Sequence, residues 1–295
     1  MSLLLPDVSE FQTASSGSAP NWAGIKKQNG GAGIIRVGYG TGHLDHMFVS
    51  NYTAMKKNNF SFLGLYHYLV AGQDAAAQAR QFCAWVGPPS AIAPGTVFMC
   101  DLEEGSAPQI GRANAWLSIV DKFYNLDTQP LNERSWLYSG QSFAVSAGLS
   151  PIFNSARHTW VASYKATEAG LLPHTLWQST NGKTGANITN WAGCGRVDTS
   201  QYNGTLPQLA AMGWGTPVTP PADTRFHGEY VTAGMFSLAD LCANVLHYPT
   251  NTVLRMTAVH YGTYGDTLGL YINDIMTGKK PWSTPVPKDT RLWCD

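Results

Sequence analysis

Asp101 and Glu103 stand one residue apart. On a β-strand that spacing puts both side chains on one face, about 6.5 Å apart along the chain, with Cys100 and Leu102 on the other. Carboxyls that share a cleft repel one another. Repulsion raises the pKa of at least one, which leaves it able to donate a proton as a general acid must. An isolated Asp-x-Glu more often caps a helix or holds an arginine. Here it closes the apolar, strand-like run Thr96-Val97-Phe98-Met99, and two further acids, Asp7 and Asp198, fall at other strand-like segments.

Aromatic and amide side chains recur at the same places: Tyr39, Tyr66, Tyr68, Tyr138, Tyr164, Trp177 and Gln178. Taken singly, each is better explained as core. As a set they suit a glycan, whose sugar faces stack on rings and whose hydroxyl and acetamido groups need a polar anchor. Other chemistries fit less well. His43 and His46 have His-x-x-His spacing but no third ligand, so no metal or other cofactor is expected. His67, flanked by Tyr66 and Tyr68, points away from any cleft they face, and Ser135, Ser139 and Ser163 lack the setting of a nucleophile elbow.

The segments that must position these groups form a series. Eight short apolar, β-branched or aromatic runs read as strands: 3–8, 33–39, 62–69, 96–103, 135–139, 159–164, 175–179 and 196–201. Between the early ones lie helical stretches at 47–58, 74–86 and 112–126; in the last, Trp116, Ile119, Val120 and Phe123 form an apolar stripe. Alternating strand and helix implies parallel strands, and eight imply a closed (β/α) barrel with its reactive groups at the carboxyl ends of the strands. After the sixth strand no run of helix length remains. Residues 213–226 turn to Pro, Gly and Thr, a linker composition. The chain therefore divides into a barrel at 1–212, a linker at 213–226 and a small module at 227–295.

Charge and composition narrow the partners. The 295 residues carry 19 basic and 19 acidic side chains, balanced in both parts, so no basic surface recruits nucleic acid or an anionic membrane. No apolar run approaches the ~18 residues of a membrane span, and the segment from Met1 to Asp7 lacks the basic start of a secretion signal. Synthesis in the cytoplasm is expected, as a monomer. Five cysteines without a Cys-x-x-Cys pair read as buried thiols, with a Cys242–Cys294 bridge as the one alternative.

The ordered set Asp7-Val8-Ser9 with Phe11-Gln12, Ile34-Ile35-Arg36-Val37-Gly38-Tyr39-Gly40, Gly64-Leu65-Tyr66-His67-Tyr68, Asp101-Leu102-Glu103, Thr159 to Tyr164, Leu176-Trp177-Gln178 and Val197-Asp198 resembles glycoside hydrolase family 25, the lysozymes of bacteria and their phages. The resemblance implies a barrel of five strand-helix units followed by three strands. It also implies cleavage of the β-1,4 bond between N-acetylmuramic acid and N-acetylglucosamine in peptidoglycan. Carried over by position, Glu103 is the acid/base, Asp101 its neighbour that orients or stabilises the reacting acetamido group, and Asp7 and Asp198 are acids of the cleft floor. Ser179 follows Gln178 where the family usually has an aromatic residue. The layout resembles that of a phage endolysin, which reaches the wall after release.

Residues 230–241 look like the opening strand, turn and helix of a LysM domain, 251–257 like its second helix and 278–293 like its closing strand, which implies an α+β module that binds N-acetylglucosamine polymers. Two other readings stand beside the lysozyme. A chitinase-like hydrolase keeps the acids, but its longer series of aspartates before Asp-x-Glu is replaced here by Thr96, Val97 and Met99. A wall-binding barrel without catalysis conflicts with the four intact acids.

Overall fold

The computed structural model describes residues 2–12 and 20–215, and beyond them the backbone of 228–231, 236–237, 285–286 and 291–294. The chain divides into two units, 1–218 and 219–295.

The first unit is a closed barrel of eight main strands: β1 (Leu3–Val8), β2 (Ala32–Tyr39), β4 (Phe62–Tyr68), β5 (Thr96–Asp101), β6 (Trp136–Gly140), β7 (Thr159–Ala162), β8 (Leu176–Thr180) and β11 (Asp198–Tyr202). The short β3 (His43–Leu44) folds back on β2 as a hairpin, and β9 (Asn190–Trp191) pairs with β10 (Gly195–Arg196). Helices α1 (Trp22–Asn29), α2 (Phe48–Lys57), α3 (Ala75–Val86), α4 (Ile110–Phe123) and the short α5 (Gln141–Ser146) and α6 (Ser150–Phe153) fill the early connections; α7 (Leu206–Ala210) follows the last strand.

One expectation is corrected. The seven main strands from β1 to β8 run parallel, but β11 is antiparallel to both β8 and β1 and closes the barrel between them. Without a crossover helix after β8 the chain returns by a hairpin-like connection, which reverses its direction. Asp198 thus enters the site from the amino end of its strand. Register pairs it with Asp7 at the carboxyl end of β1.

Strand alternation builds two layers. Inward-facing Leu5, Ile34, Phe62, Met99, Trp136, Trp160, Leu176 and Tyr202 fill the barrel; outward-facing Val8, Ile35, Leu65, Phe98, Leu137 and Val161 pack with Phe82, Trp116 and Val120 of the helices. Leu209 of α7 is buried in the inner cluster, and Trp214 pairs across Thr96 at the amino end of β5. That end is plugged, so the carboxyl end is the one left for a site. The expected stripe on α4 is narrower than its spacing suggested, because Phe123 is exposed while Trp116 and Val120 are buried.

Cys83, Cys100 and Cys194 are buried free thiols; the side chains of Cys242 and Cys294 lie outside the described residues. No described helix is long and apolar enough to cross a membrane. In the second unit β12 (Gly228–Val231) pairs antiparallel with β15 (Arg291–Cys294), and β13 (Phe236–Ser237) with β14 (Pro285–Val286). Within 230–241, expected to run from strand through turn to helix, Phe236–Ser237 is a strand, and the expected helix at 251–257 lies outside the described residues.

Candidate active site

Inner-face positions one step above the apolar plug are polar. Asp7 follows Leu5 on β1, Arg36 follows Ile34 on β2, Asp101 follows Met99 on β5, and Gln178 follows Leu176 on β8. Strand β5 ends at Asp101, so Glu103 stands on the loop just beyond it. Solvent reaches Glu103 from the cleft although protein encloses most of its surroundings.

The loop is fixed on both sides of Glu103. Leu102 N donates to Tyr138 O at 3.1 Å, and Ser139 Oγ donates to Leu102 O at 2.7 Å. Glu104 accepts from Ala71 N, and its carbonyl receives Arg112 Nη1 at 3.3 Å. Anchors of this kind hold an acid in a productive position without touching the substrate.

Gln178 ties the acids to the aromatics. Its Nε2 donates to Asp7 Oδ2 at 3.1 Å and, more weakly, to Asp198 Oδ2 at 3.5 Å; its Oε1 accepts from Tyr138 at 2.7 Å and Tyr164 at 3.1 Å. Asp7 Oδ1 and Asp101 Oδ1 are buried without a hydrogen-bond partner. Buried acceptors left open in this way are costly unless protonated or met by a ligand.

The electrostatics follow from crowding. Burial, then the charge of Asp198, raises Asp7 well above the carboxylate range. Burial, then Glu103, does the same to Asp101. Asp198 is pushed up to about 6 by burial and by Glu103. Glu103 is raised by burial, with the Tyr138 hydroxyl pulling the other way. These four titrate as a set, so the proton that each reluctantly gives up is shared among them. The arrangement supplies acids that hold their protons above the ordinary carboxylate range, as a general acid must.

Of the residues singled out in the sequence, Tyr66 and Tyr138 lie within the field of the acids, and Tyr68 and Tyr164 stand at the rim. Tyr39, level with Tyr68 on β2, stacks on His43 at 4.2 Å. Trp177 is the correction. It is buried in the outer layer, with Nε1 donating to Ser163 O at 2.8 Å, because strand alternation gives the inward position to Gln178. His67 is buried and accepts from Trp116 Nε1 at Nδ1, which leaves Nε2–H to donate to Gly40 O; burial lowers its pKa to about 4. Among the described residues no cluster of His, Cys, Asp or Glu is arranged to hold a metal.

The sequence reading missed several contributors. An open groove of about 400 Å³ leads away from Glu103 between Gln141, Ser142 and Phe143 on one side and Ala162, Ser163 and Tyr164 on the other. Arg36, buried on the inner face, makes ion pairs with Glu10 and Asp45. A charged residue inside the apolar run Ile34-Ile35-Arg36-Val37 was the available signal, since a buried arginine needs partners.

Comparison with known proteins places this geometry. The family described as Glycosyl hydrolases family 25 matches residues 6–188. No curated protein matches the chain. Among solved structures, the catalytic domain of endolysin ply40 from bacteriophage P40 of Listeria monocytogenes is similar at 24% identity and TM-score 0.57, covering 71% of this chain and 98% of that one. A muramidase from Trichobolus zukalii is similar at 24% and 0.55, covering 72% and 98%, and the bacterial lysozyme from Streptomyces coelicolor at 23% and 0.55, covering 72% and 97%. At these identities the likeness speaks to the fold.

Proposed function

The chain belongs to glycosyl hydrolase family 25, and from that premise we propose that it is a muramidase: it hydrolyses the β-1,4 bond between N-acetylmuramic acid and N-acetylglucosamine in peptidoglycan. The observation that carries the reading is the convergence of Asp7, Asp101, Glu103 and Asp198 at the one unplugged end of the barrel, with their proton affinities raised together.

Glu103 is the acid. It alone of the four stands on a loop open to solvent, where a glycosidic oxygen can approach, and its raised pKa keeps a proton available. Asp101, one step deeper, offers an unpartnered Oδ1 that suits the N–H of a 2-acetamido group. An acceptor there aligns the acetamido oxygen for attack on the anomeric carbon while Glu103 protonates the leaving oxygen. Water then attacks the anomeric carbon, the bond from the acetamido oxygen to that carbon breaks, and the ionised Glu103 accepts a proton from the water. Asp7 and Asp198, linked through Gln178, shape the floor and carry hydrogen bonds to sugar hydroxyls. Tyr164 and Phe143 in the adjoining groove give rings for the next sugar.

The similarity to an endolysin catalytic domain and the LysM-like sequence of residues 230–241 support an enzyme that is carried to the wall of a lysing host. A tethered wall-binding module raises the local concentration of enzyme on its polymer. The test is release of reducing ends from purified peptidoglycan and from chitin. Release from peptidoglycan that disappears in Glu103→Gln supports the proposal; turnover of chitin with none of peptidoglycan overturns it in favour of a chitinase.

A further inference from the structure

Arg36 is a cation of the cleft that no part of the proposed reaction uses. It sits on the inner face of β2, two residues beyond Ile34, whose Cα pairs with that of Asp7, and level with Tyr66 of β4. Its guanidinium is buried and held from several sides. Nε donates to Asp45 Oδ2 at 3.0 Å, and Nη2 lies 3.0 Å from Glu10 Oε1, off the line of its N–H and so as a charge contact. The ring of Phe11 covers it at 4.8 Å and that of Tyr39 lies at 5.5 Å. Its two clamps are themselves fixed: Glu10 N donates to Asp45 Oδ2 at 3.0 Å, and Glu10 meets His43 Nε2 at 2.9 Å and His46 Nδ1 at 2.8 Å.

The hairpin makes this possible. A Cβ at Gly38 would lie 2.3 Å from His43 O, so only glycine lets β3 fold back closely enough to bring Asp45 beneath Arg36. Among the described residues its ion pairs are with Glu10 and Asp45 and not with Asp7 or Asp101. An arginine drawn into a direct pair would cover the carboxylate oxygens that a substrate needs. Held aside, it acts through space in a site of low dielectric and leaves those oxygens open.

We propose that Arg36, clamped by Glu10 and Asp45, is a positioning residue that serves as the built-in counter-charge of the four-acid cleft. Its field favours the ionised forms of Asp7 and Asp101 against burial and against Asp198 and Glu103. Arg36 thereby offsets part of what burial and Glu103 add to the proton affinity of Asp101, and so eases its use as an acceptor; the inference rests on the muramidase reading for its purpose but not for its physics. The titratable and charged groups facing Arg36 are Asp7 from β1, Glu10 from the turn after it, Tyr39 from β2, His43, Asp45 and His46 from the hairpin, Tyr66 from β4 and Asp101 from β5.

Opposed substitutions separate this role from simple support. Carboxyl titration by carbon-13 NMR of the full chain needs no substrate and reports Asp7 and Asp101 directly. Arg36→Gln removes the positive charge and is expected to move their titrations up by about one pH unit, with Arg36→Lys restoring most of the shift. Glu10→Gln removes a negative charge from the same clamp and is expected to move them down. Shifts of the same sign in the two variants, or none in either, overturn the proposal; where Arg36→Gln does not fold, the sign in Glu10→Gln decides alone. On peptidoglycan the pH profile of kcat/KM should move with the titrations. Opposed titration shifts in a protein that cleaves no peptidoglycan keep the counter-charge and reject the muramidase.

Discussion

Asp7 and Asp198 face each other across the seam where the first strand meets the last, paired in register at the open end of the barrel. The charge of Asp198 raises the proton affinity of Asp7, and Gln178 bridges the two. The pairing exists because β11 runs against its neighbours, so a residue at its start meets one near the end of β1.

Such crowding opposes folding. An acid whose pKa is raised in the fold costs nothing below its unfolded value near 4 and destabilises increasingly as the pH rises through its folded value, here about 6 for Asp198. Asp198→Asn is therefore expected to stabilise the barrel at pH 7 by about 1–2 kcal/mol, with the gain vanishing below about pH 4. Thermal unfolding of both proteins across that range checks it. A gain that persists at pH 3.5 would locate the effect elsewhere.

Gln178 is the joint between acids and rings. Gln178→Met keeps the shape but removes the donor to Asp7 and the acceptor for Tyr138 and Tyr164. Turnover is expected to fall about 10–100-fold, an effect of about 1.4–2.7 kcal/mol on the barrier, with secondary structure unchanged. Gln178→Glu keeps the acceptor and adds a fifth carboxyl, whose charge raises the proton affinity of the other four, so its residual activity should peak at a more alkaline pH than the wild type's. An unshifted profile would remove Gln178 from the electrostatic account.

Trp177 and Tyr164 divide structure from binding. Trp177→Ala should cost about 3–5 kcal/mol of stability, as expected for a buried indole, while Trp177→Phe leaves KM unchanged. Tyr164→Ala, at the exposed wall of the groove, should raise KM for glycan fragments about ten-fold with little loss of stability. A KM effect at Trp177 and none at Tyr164 would reverse the assignment.

The fold was legible where local pattern and burial agree. The runs at 3–8, 62–68 and 96–101 are strands because their apolar side chains serve both layers of the barrel, and Asp101 stands out as the acid that ends one of them. What sequence did not reveal depends on long-range geometry. The direction of β11 is set by the lack of a crossover helix and by the gap left between β1 and β8, not by its own residues. Trp177 and Gln178 are neighbours, and only the register of β8 says which faces in. The Arg36 clamp joins residues 10, 36 and 45 through a two-residue hairpin strand that no apolar periodicity marks.

The central claim is the bond cleaved and the acid that cleaves it. Peptidoglycan digested by the full chain, reduced with borohydride and resolved by mass spectrometry, distinguishes the two possible reducing ends. The account predicts muropeptides ending in reduced N-acetylmuramic acid, and their loss by about 10²–10⁴-fold in a folded Glu103→Gln variant. Fragments ending in reduced N-acetylglucosamine, or undiminished cleavage by Glu103→Gln, would contradict it.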